Sequence, residues 1–322
     1  MAPATHTVVT DSGLGGLAVC AALERGLRRS GHAAPVRLTY FNAWPFDDRG
    51  YNDLADVPAR ARVFDAALAR IQALQPDRIV IACNTLSVLY PHTSFSRSAA
   101  VPVHGIVEAG VEWFEERLRA DAGSSIVLVG TKTTIESGVH RDGLVSRGID
   151  AARIAAVPCH GLAAAIERDA NGPRAAGLVA ECAARAADAA APGGMLSLGL
   201  CCTHYGYVAE RFADALAARS GRPVVALDPS LSLVERLLAD EAPAAAGGPG
   251  VVRGEADAAS GVGAADGAAV GAEGPRRDVH VTVLSKVELC ETARTAFARL
   301  VEPVSPATAS ALLSYARIPD LF

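Results

Sequence analysis

The sequence predicts an α/β fold of two pseudo-symmetric domains with largely parallel sheets, and an active site in the cleft between them. Three observations predict it. The run Ile79-Val-Ile-Ala-Cys-Asn-Thr85 reads as a buried strand that ends in a thiol, an amide and a hydroxyl. Met195-Leu-Ser-Leu-Gly-Leu-Cys-Cys-Thr-His204 repeats that order, apolar first and then thiols and hydroxyl. The third is spacing: Ser12 lies 71 residues before Cys83, and Thr131 lies 71 residues before Cys202. In open α/β sheets ligands sit off the carboxyl ends of strands, where both thiols fall. Alternating strands and helices imply parallel pairing in each half.

The elements follow in order. Thr7–Thr10 is a short strand, Asp11-Ser-Gly-Leu-Gly-Gly16 a turn, and residues 17–27 a helix. Such a turn presents backbone N–H groups to an anion, although the spacing matches neither a dinucleotide fingerprint nor a Walker loop. Val36–Phe41 is a strand, and residues 42–51 form a polar loop. Apolar Val63, Ala67, Ile71 and Leu74 give helical spacing over 58–75, and Pro76 ends that helix before the Cys83 strand. Val101–Ile106 is a fourth strand, and a helix runs from it through Trp113 and Leu118. The pattern restarts with the strand Ser125–Val129 and the polar turn Gly130–Thr134. A strand at 153–157 leads to Cys159-His160, which start a helix through Glu167. An Ala-rich helix at 173–190, strands at 195–199 and 223–228, a strand at 278–284 and a helix at 288–300 complete the set. Residues 241–279 are dominated by Ala, Gly, Pro, Asp and Glu and read as a flexible surface insertion without chemistry. The expected division is residues 1–100 with 210–322 as the first domain and 101–209 as the second.

Composition narrows the function. The net charge of −5 in 322 residues argues against a nucleic-acid surface. No apolar run reaches the roughly 18 residues of a membrane span, and residues 1–6 lack the pattern of a secretory leader. Seven cysteines, at 20, 83, 159, 182, 201, 202 and 290, form no CxxC pair; an odd count points to free thiols in a reducing cytoplasm, and no metal site is expected. Cys20, Cys182 and Cys290 fall at apolar helical positions and read as core, as does Cys159 at a helix start. Strand alternation sends Cys201 and Cys202 in opposite directions, and Cys202 is taken as the reactive one.

Two thiols at opposing strand ends suit one reaction. A carbon next to a carboxylate can lose a proton from one face and regain it on the other, given an acid/base on each side and no cofactor. Cysteine serves when polar surroundings favour its thiolate. Asp11 and His204 are placed to relay protons. Ser12, Asn84, Thr85, Thr203 and the turn amides could hold a substrate carboxylate. Asp11 has a competing role as a helix cap, and Glu167 as an ordinary exposed helical glutamate.

Asp11-Ser-Gly-Leu-Gly-Gly16, Ala82-Cys-Asn-Thr85, Gly130-Thr-Lys-Thr-Thr134 and Cys202-Thr-His204 together resemble the motif set of the glutamate racemases, within the cofactor-independent aspartate/glutamate racemase superfamily. Val101–Ile106 and Asp228-Pro-Ser230 resemble further family segments. The resemblance implies that Cys83 and Cys202 are the acid/base pair, with Asp11, Glu167 and His204 assisting. It also places Ser12, Asn84, Thr85, Thr131, Thr134 and Thr203 at the substrate, along with Pro45 and Phe46 of the loop after the second strand. It implies an amino-acid substrate, glutamate or a related acidic one, and a C-terminal segment that returns to the first domain. A homodimer is admitted as the assembly. Two departures stand out: Pro45-Phe-Asp-Asp48 occupies a loop where the family usually carries Pro-Tyr-Gly, and Gly206 a position where it commonly carries Pro. Maleate-type isomerisation and a catalytically silent ligand-binding relative remain as alternatives; a malonate decarboxylase would retain only one thiol.

Overall fold

The computed structural model describes residues 4–30, 34–241 and 277–322. The segment expected as a flexible insertion lies outside these residues except at its ends, and both ends are fixed. Glu241 pairs with Arg78 at 2.8 Å and with Arg277 at 2.7 Å, and Val279 already belongs to a strand.

In chain order the elements are β1 (Thr5–Asp11), α1 (Leu17–Arg29), β2 (Val36–Asn42), α2 (Val57–Ala73), β3 (Arg78–Ile81), α3 (Asn84–Leu89), β4 (Val103–Gly105) and α4 (Ile106–Ala120). The second series is β5 (Ser125–Gly130), α5 (Lys132–Glu136), α6 (Val139–Ser146), β6 (Ile154–Pro158), α7 (Leu162–Asp169), α8 (Pro173–Ala189), β7 (Leu196–Cys201), α9 (Ala209–Ser220), β8 (Val224–Leu227) and α10 (Pro229–Ala239). The chain closes with β9 (Val279–Ser285), α11 (Glu291–Val301), α12 (Pro306–Leu313) and β10 (Ala316–Arg317).

Local chemistry sets the ends of these elements. Asp56 caps α2 by accepting from the Ala59 N–H, and Gln75 takes a left-handed φ of 54° just before Pro76, so that helix cannot continue. Thr131 caps α5 through the Thr134 N–H, and Asp228 caps α10 ahead of Pro229.

Every strand pair is parallel. The first sheet has the order β10-β9-β2-β1-β3-β4 and the second β6-β5-β7-β8. The run β2-β1-β3-β4 therefore has the same topology as β6-β5-β7-β8, which is the duplication announced by the equal spacings. The strand at 224–227 extends the second sheet beyond the boundary expected at 209, because β8 takes the open edge of β7. The last strands return to the first sheet, where β9 covers the outer edge of β2.

One continuous apolar core runs between the sheets, with Val9, Leu38, Tyr40 and Val80 from the first and Val127, Val129, Leu198 and Leu200 from the second. The far face of the first sheet packs Val8, Phe41, Ile79 and Ile81 with Cys83. The far face of the second packs Ile126 and Leu128 with Cys201. Among the described residues, no helix is long and apolar enough to cross a membrane.

Candidate active site

The turn after β1 is built by contact with the second sheet's helices and turns. A side chain at Gly15 would place its Cβ 2.5 Å from Thr203 Oγ1 and 2.6 Å from His204 Nδ1; one at Gly13 would lie 2.6 Å from Glu167 Oε2. Only glycine admits such an approach. The turn N–H groups were expected to bind a substrate anion, but the Leu14 N–H donates to Glu167 Oε2 at 3.0 Å. Tyr40 OH anchors the turn from behind through the Gly13 carbonyl at 2.5 Å, and Tyr207 OH donates to the Gly15 carbonyl at 3.3 Å.

Asp11 ends β1 with no solvent exposure. Its Oδ2 accepts from Thr203 Oγ1 at 2.8 Å, and its Oδ1 is buried without a partner. Burial pushes its carboxyl up to about 6, against the pull of His204 and of the Thr203 hydroxyl. Its capping role falls away, since α1 begins at Leu17 after Gly16 with no side-chain cap. Cys83 lies two residues beyond the end of β3, as the residue before α3, with its sulfur 3.2 Å from Ser12 Oγ. Burial, with the neighbouring Asp11 charge, pushes its thiol far above the ordinary range.

On the second side, Cys202 follows β7 and its sulfur lies 3.8 Å from His204 Nδ1. The opposite ring nitrogen of His204, Nε2, meets Glu167 Oε2 at 2.6 Å, and Phe297 of α11 flanks the ring edge-on at 6.1 Å. Burial alone would lower the His204 pKa, but Cys202 and Glu167 more than offset it and hold the imidazole proton well above its usual value. Glu167 reaches this pair because α7 turns it inward, leaving its side chain 27% exposed. Cys201, one residue earlier, points to the opposite face and joins the far core.

The hydroxyls and amides gather around these two ends. Thr85, Thr131 and Thr134 form a triangle of hydroxyls 2.9 to 3.2 Å apart, which joins α3 to the turn after β5. Asn84 Oδ1 lies 3.1 Å from His140 Nε2, and its Nδ2 is buried with no acceptor. Asn52 Oδ1 accepts from both the N–H and the hydroxyl of Thr133, at 3.2 and 2.7 Å.

Pro45 and Phe46 face elsewhere. They line an open hollow of about 390 Å³ with Leu54, Val63, Lys286 and Phe322. Trp44 draws the loop that way by donating from Nε1 to the Phe46 carbonyl at 2.7 Å, while Lys286 and Arg49 stand over the Phe46 ring. Asp47 and Asp48 are exposed to solvent. Gly206 has a steric reason: a Cβ there would collide with Asp228 Oδ2. Cys290, expected in the core, is exposed at the cap position before α11. Cys20, Cys159 and Cys182 are buried as expected.

Sequence reasoning did not reach Tyr40, Asn52, His140 or Tyr207. None stands in a motif, and each acts through a partner at least 27 residues away in the chain.

Comparison with known proteins defines the class. The profile of the family described as Asp/Glu/hydantoin racemase matches residues 12–237. The chain belongs to that family. Among curated relatives, the glutamate racemase of Campylobacter jejuni is 32% identical over 148 residues, covering 44% of this chain and 52% of the relative. That of Aquifex pyrophilus is 30% identical over 149 residues, covering 44% and 51%. The aligned part of the chain thus spans about half the length of the curated relatives it matches. Solved structures extend the likeness in fold across nearly the whole chain. Glutamate racemase from Francisella tularensis in complex with D-glutamate superimposes with a TM-score of 0.61 at 17% identity, covering 93% of this chain and 94% of that one. The Campylobacter jejuni enzyme gives 0.61 at 20% identity, covering 92% and 98%.

Proposed function

We propose that this chain is a cofactor-independent amino-acid racemase, an isomerase acting on glutamate in the cytoplasm. The observation that carries the reading is the pair of thiols at equivalent strand ends of a duplicated topology, each with its own polar partner. Cys83 stands beside Ser12 and Asp11, and Cys202 beside His204 and Glu167. The curated relatives, all glutamate racemases, favour glutamate over other amino acids.

On this reading one thiolate takes the Cα proton, forming an S–H bond as the C–H bond breaks. The electron pair spreads into the substrate carboxylate. The opposite thiol gives its proton to the other face, and the centre is inverted with no net change in atoms or charge. His204, held protonated by Glu167 and Cys202, supplies the counter-charge when Cys202 acts as base. Cys83 with its strongly raised pKa keeps its proton until the carbanion forms, and Asp11 is placed to accept a proton on that side. Ser12, Asn84, Thr85, Thr131, Thr134 and Thr203 would hold the carboxylates and ammonium group. Pro45 and Phe46 would shape the outer wall only. The two sheets would be the cores of two lobes closing on the substrate, and sedimentation would decide whether the lobes pair further into a homodimer.

The test is deuterium wash-in. Purified protein is incubated in D₂O with L- or D-glutamate and no added cofactor, and the Cα proton is followed by NMR. Exchange with growth of the opposite enantiomer is expected. Cys83→Ser and Cys202→Ser should each lower the rate by about 10²–10⁴-fold, the usual worth of a positioned acid/base, whereas Cys201→Ser should not. Absence of exchange with both enantiomers, or full activity in either of the first two variants, refutes the reading.

A further inference from the structure

The Asn84 and His140 side chains meet across the two lobes, each 2% exposed. Asn84 comes from the first turn of α3, directly after Cys83; His140 comes from α6, which follows β5 of the second sheet. Each carries one buried polar atom with no partner, Nδ2 of Asn84 and Nδ1 of His140.

We propose that His140 is a positioning residue for the substrate: its Nε2–H donates to Asn84 Oδ1 and so turns the Asn84 amide N–H groups toward a substrate carboxylate. The inference rests on the racemase reading above and extends it to a residue outside every motif. The argument is a count of donors and acceptors. With the proton on Nδ1, that N–H would be buried with no acceptor, the costlier of the two ways to leave the ring nitrogen unpaired. The proton therefore belongs on Nε2. Nε2–H needs an acceptor, and Asn84 Oδ1 at 3.1 Å is the partner present. The amide is then fixed with Nδ2 on the side away from His140, where it has no acceptor among the described residues. A buried N–H pair of this kind is expensive unless something accepts from it. A carboxylate oxygen bound next to Cys83 is the group that would. Burial brings His140 down to about 4, so the ring is neutral at ordinary pH and orients the amide without adding a charge. Phe114 of α4 lies beside the imidazole, with ring centroids 6.4 Å apart. Because the bond joins the lobes, the orientation exists only when they are together.

The test combines kinetics with a measurement that needs no substrate. His140→Phe keeps the aromatic packing and removes the donor; KM for glutamate should rise about tenfold to a hundredfold, the worth of a hydrogen bond to a charged group, with kcat within about threefold. His140→Gln, which retains an N–H, should recover most of the loss. Asn84→Ala should raise KM by a similar factor, and the double variant Asn84→Ala/His140→Phe should be no worse than Asn84→Ala alone. An unchanged KM in His140→Phe, or losses that multiply in the double variant, overturns the inference. Separately, ¹⁵N NMR of the wild-type imidazole without substrate should show the Nε2–H tautomer. The Nδ1–H tautomer overturns the inference even if His140→Phe fails to fold. A wild type that exchanges neither enantiomer refutes the racemase reading instead, and the tautomer still decides the Asn84–His140 arrangement.

Discussion

At the scale of single residues, the site contains a carboxyl whose protonation is set by burial. Asp11 is fully enclosed and held up at about 6, against an ordinary value of 3.8. The folded protein therefore binds that proton more tightly than the unfolded chain does. Its contribution favours folding below about pH 4 and is lost as the pH rises through about 6. Wild type should thus lose up to about 3 kcal/mol of stability relative to Asp11→Asn over that window, as measured by urea unfolding at a series of pH values. A difference between the two that is flat with pH would show that Asp11 titrates in the folded protein as it does in the unfolded chain. The opposite orientation of Cys201 and Cys202 was legible, because period-two alternation at the end of β7 separates the two sulfurs onto different cores. The role of Glu167 was not legible from its own surroundings in sequence. A glutamate on α7 gains its meaning from His204, 37 residues later, and from the Leu14 N–H, 153 residues earlier. Cys290 misled in the other direction: the helix starts at Glu291, three residues later than the start expected at 288, leaving the thiol outside.

At the scale of elements, the glycine turn after β1 reads as an anion cradle in sequence, and in the structure it packs against the second lobe and gives its Leu14 N–H to Glu167. Gly15→Ala should cost about 1–3 kcal/mol, the usual penalty of overpacking, because Thr203 and His204 already occupy the Cβ position. Gly177→Ala in the middle of α8 provides the control. Beyond its own helix backbone nothing lies within 4 Å of its Cβ position, so a gain of about 0.4–1 kcal/mol is expected from the less flexible unfolded chain. Thermal unfolding of the two variants side by side checks both. The strands carrying both thiols and both turns were legible because β-branched runs bounded by polar turns leave a strong local signal. Two of the helices missed have weak starts. α6 opens on Gly138 at φ 72° and α9 follows Val208, and neither has a capping side chain. The start of α10 was marked by Asp228-Pro229, a cap signal that was read only as part of a family segment. The loop at 45–48 could not be placed from sequence, since its direction depends on Trp44 and on Lys286, which arrives with the last strands.

At the scale of the whole molecule, the lobes share the apolar core between the sheets and are tied across the site by short polar bonds as well. Asp11 to Thr203, Leu14 to Glu167, Asn84 to His140, and Thr85 to Thr131 all cross from one sheet's elements to the other's. Asn52 to Thr133 is the exposed member of the set. Removing it in Asn52→Ala should loosen α5 locally without unfolding either lobe. Amide exchange over residues 132–137 should quicken about fivefold, the worth of about 1 kcal/mol, while the strands of both sheets keep their protection. Uniform quickening across both sheets would mean that this bond supports the global fold. The return of the chain to its first sheet has a further consequence during synthesis. Until residues 279–285 leave the ribosome, β2 presents a bare edge of unpaired N–H and C=O groups, on the order of ten seconds or more at ordinary rates of elongation. The second sheet, made from one uninterrupted stretch, can close in that interval. The half bearing Cys202 would then be born first, and the half bearing Cys83 would be finished upon it.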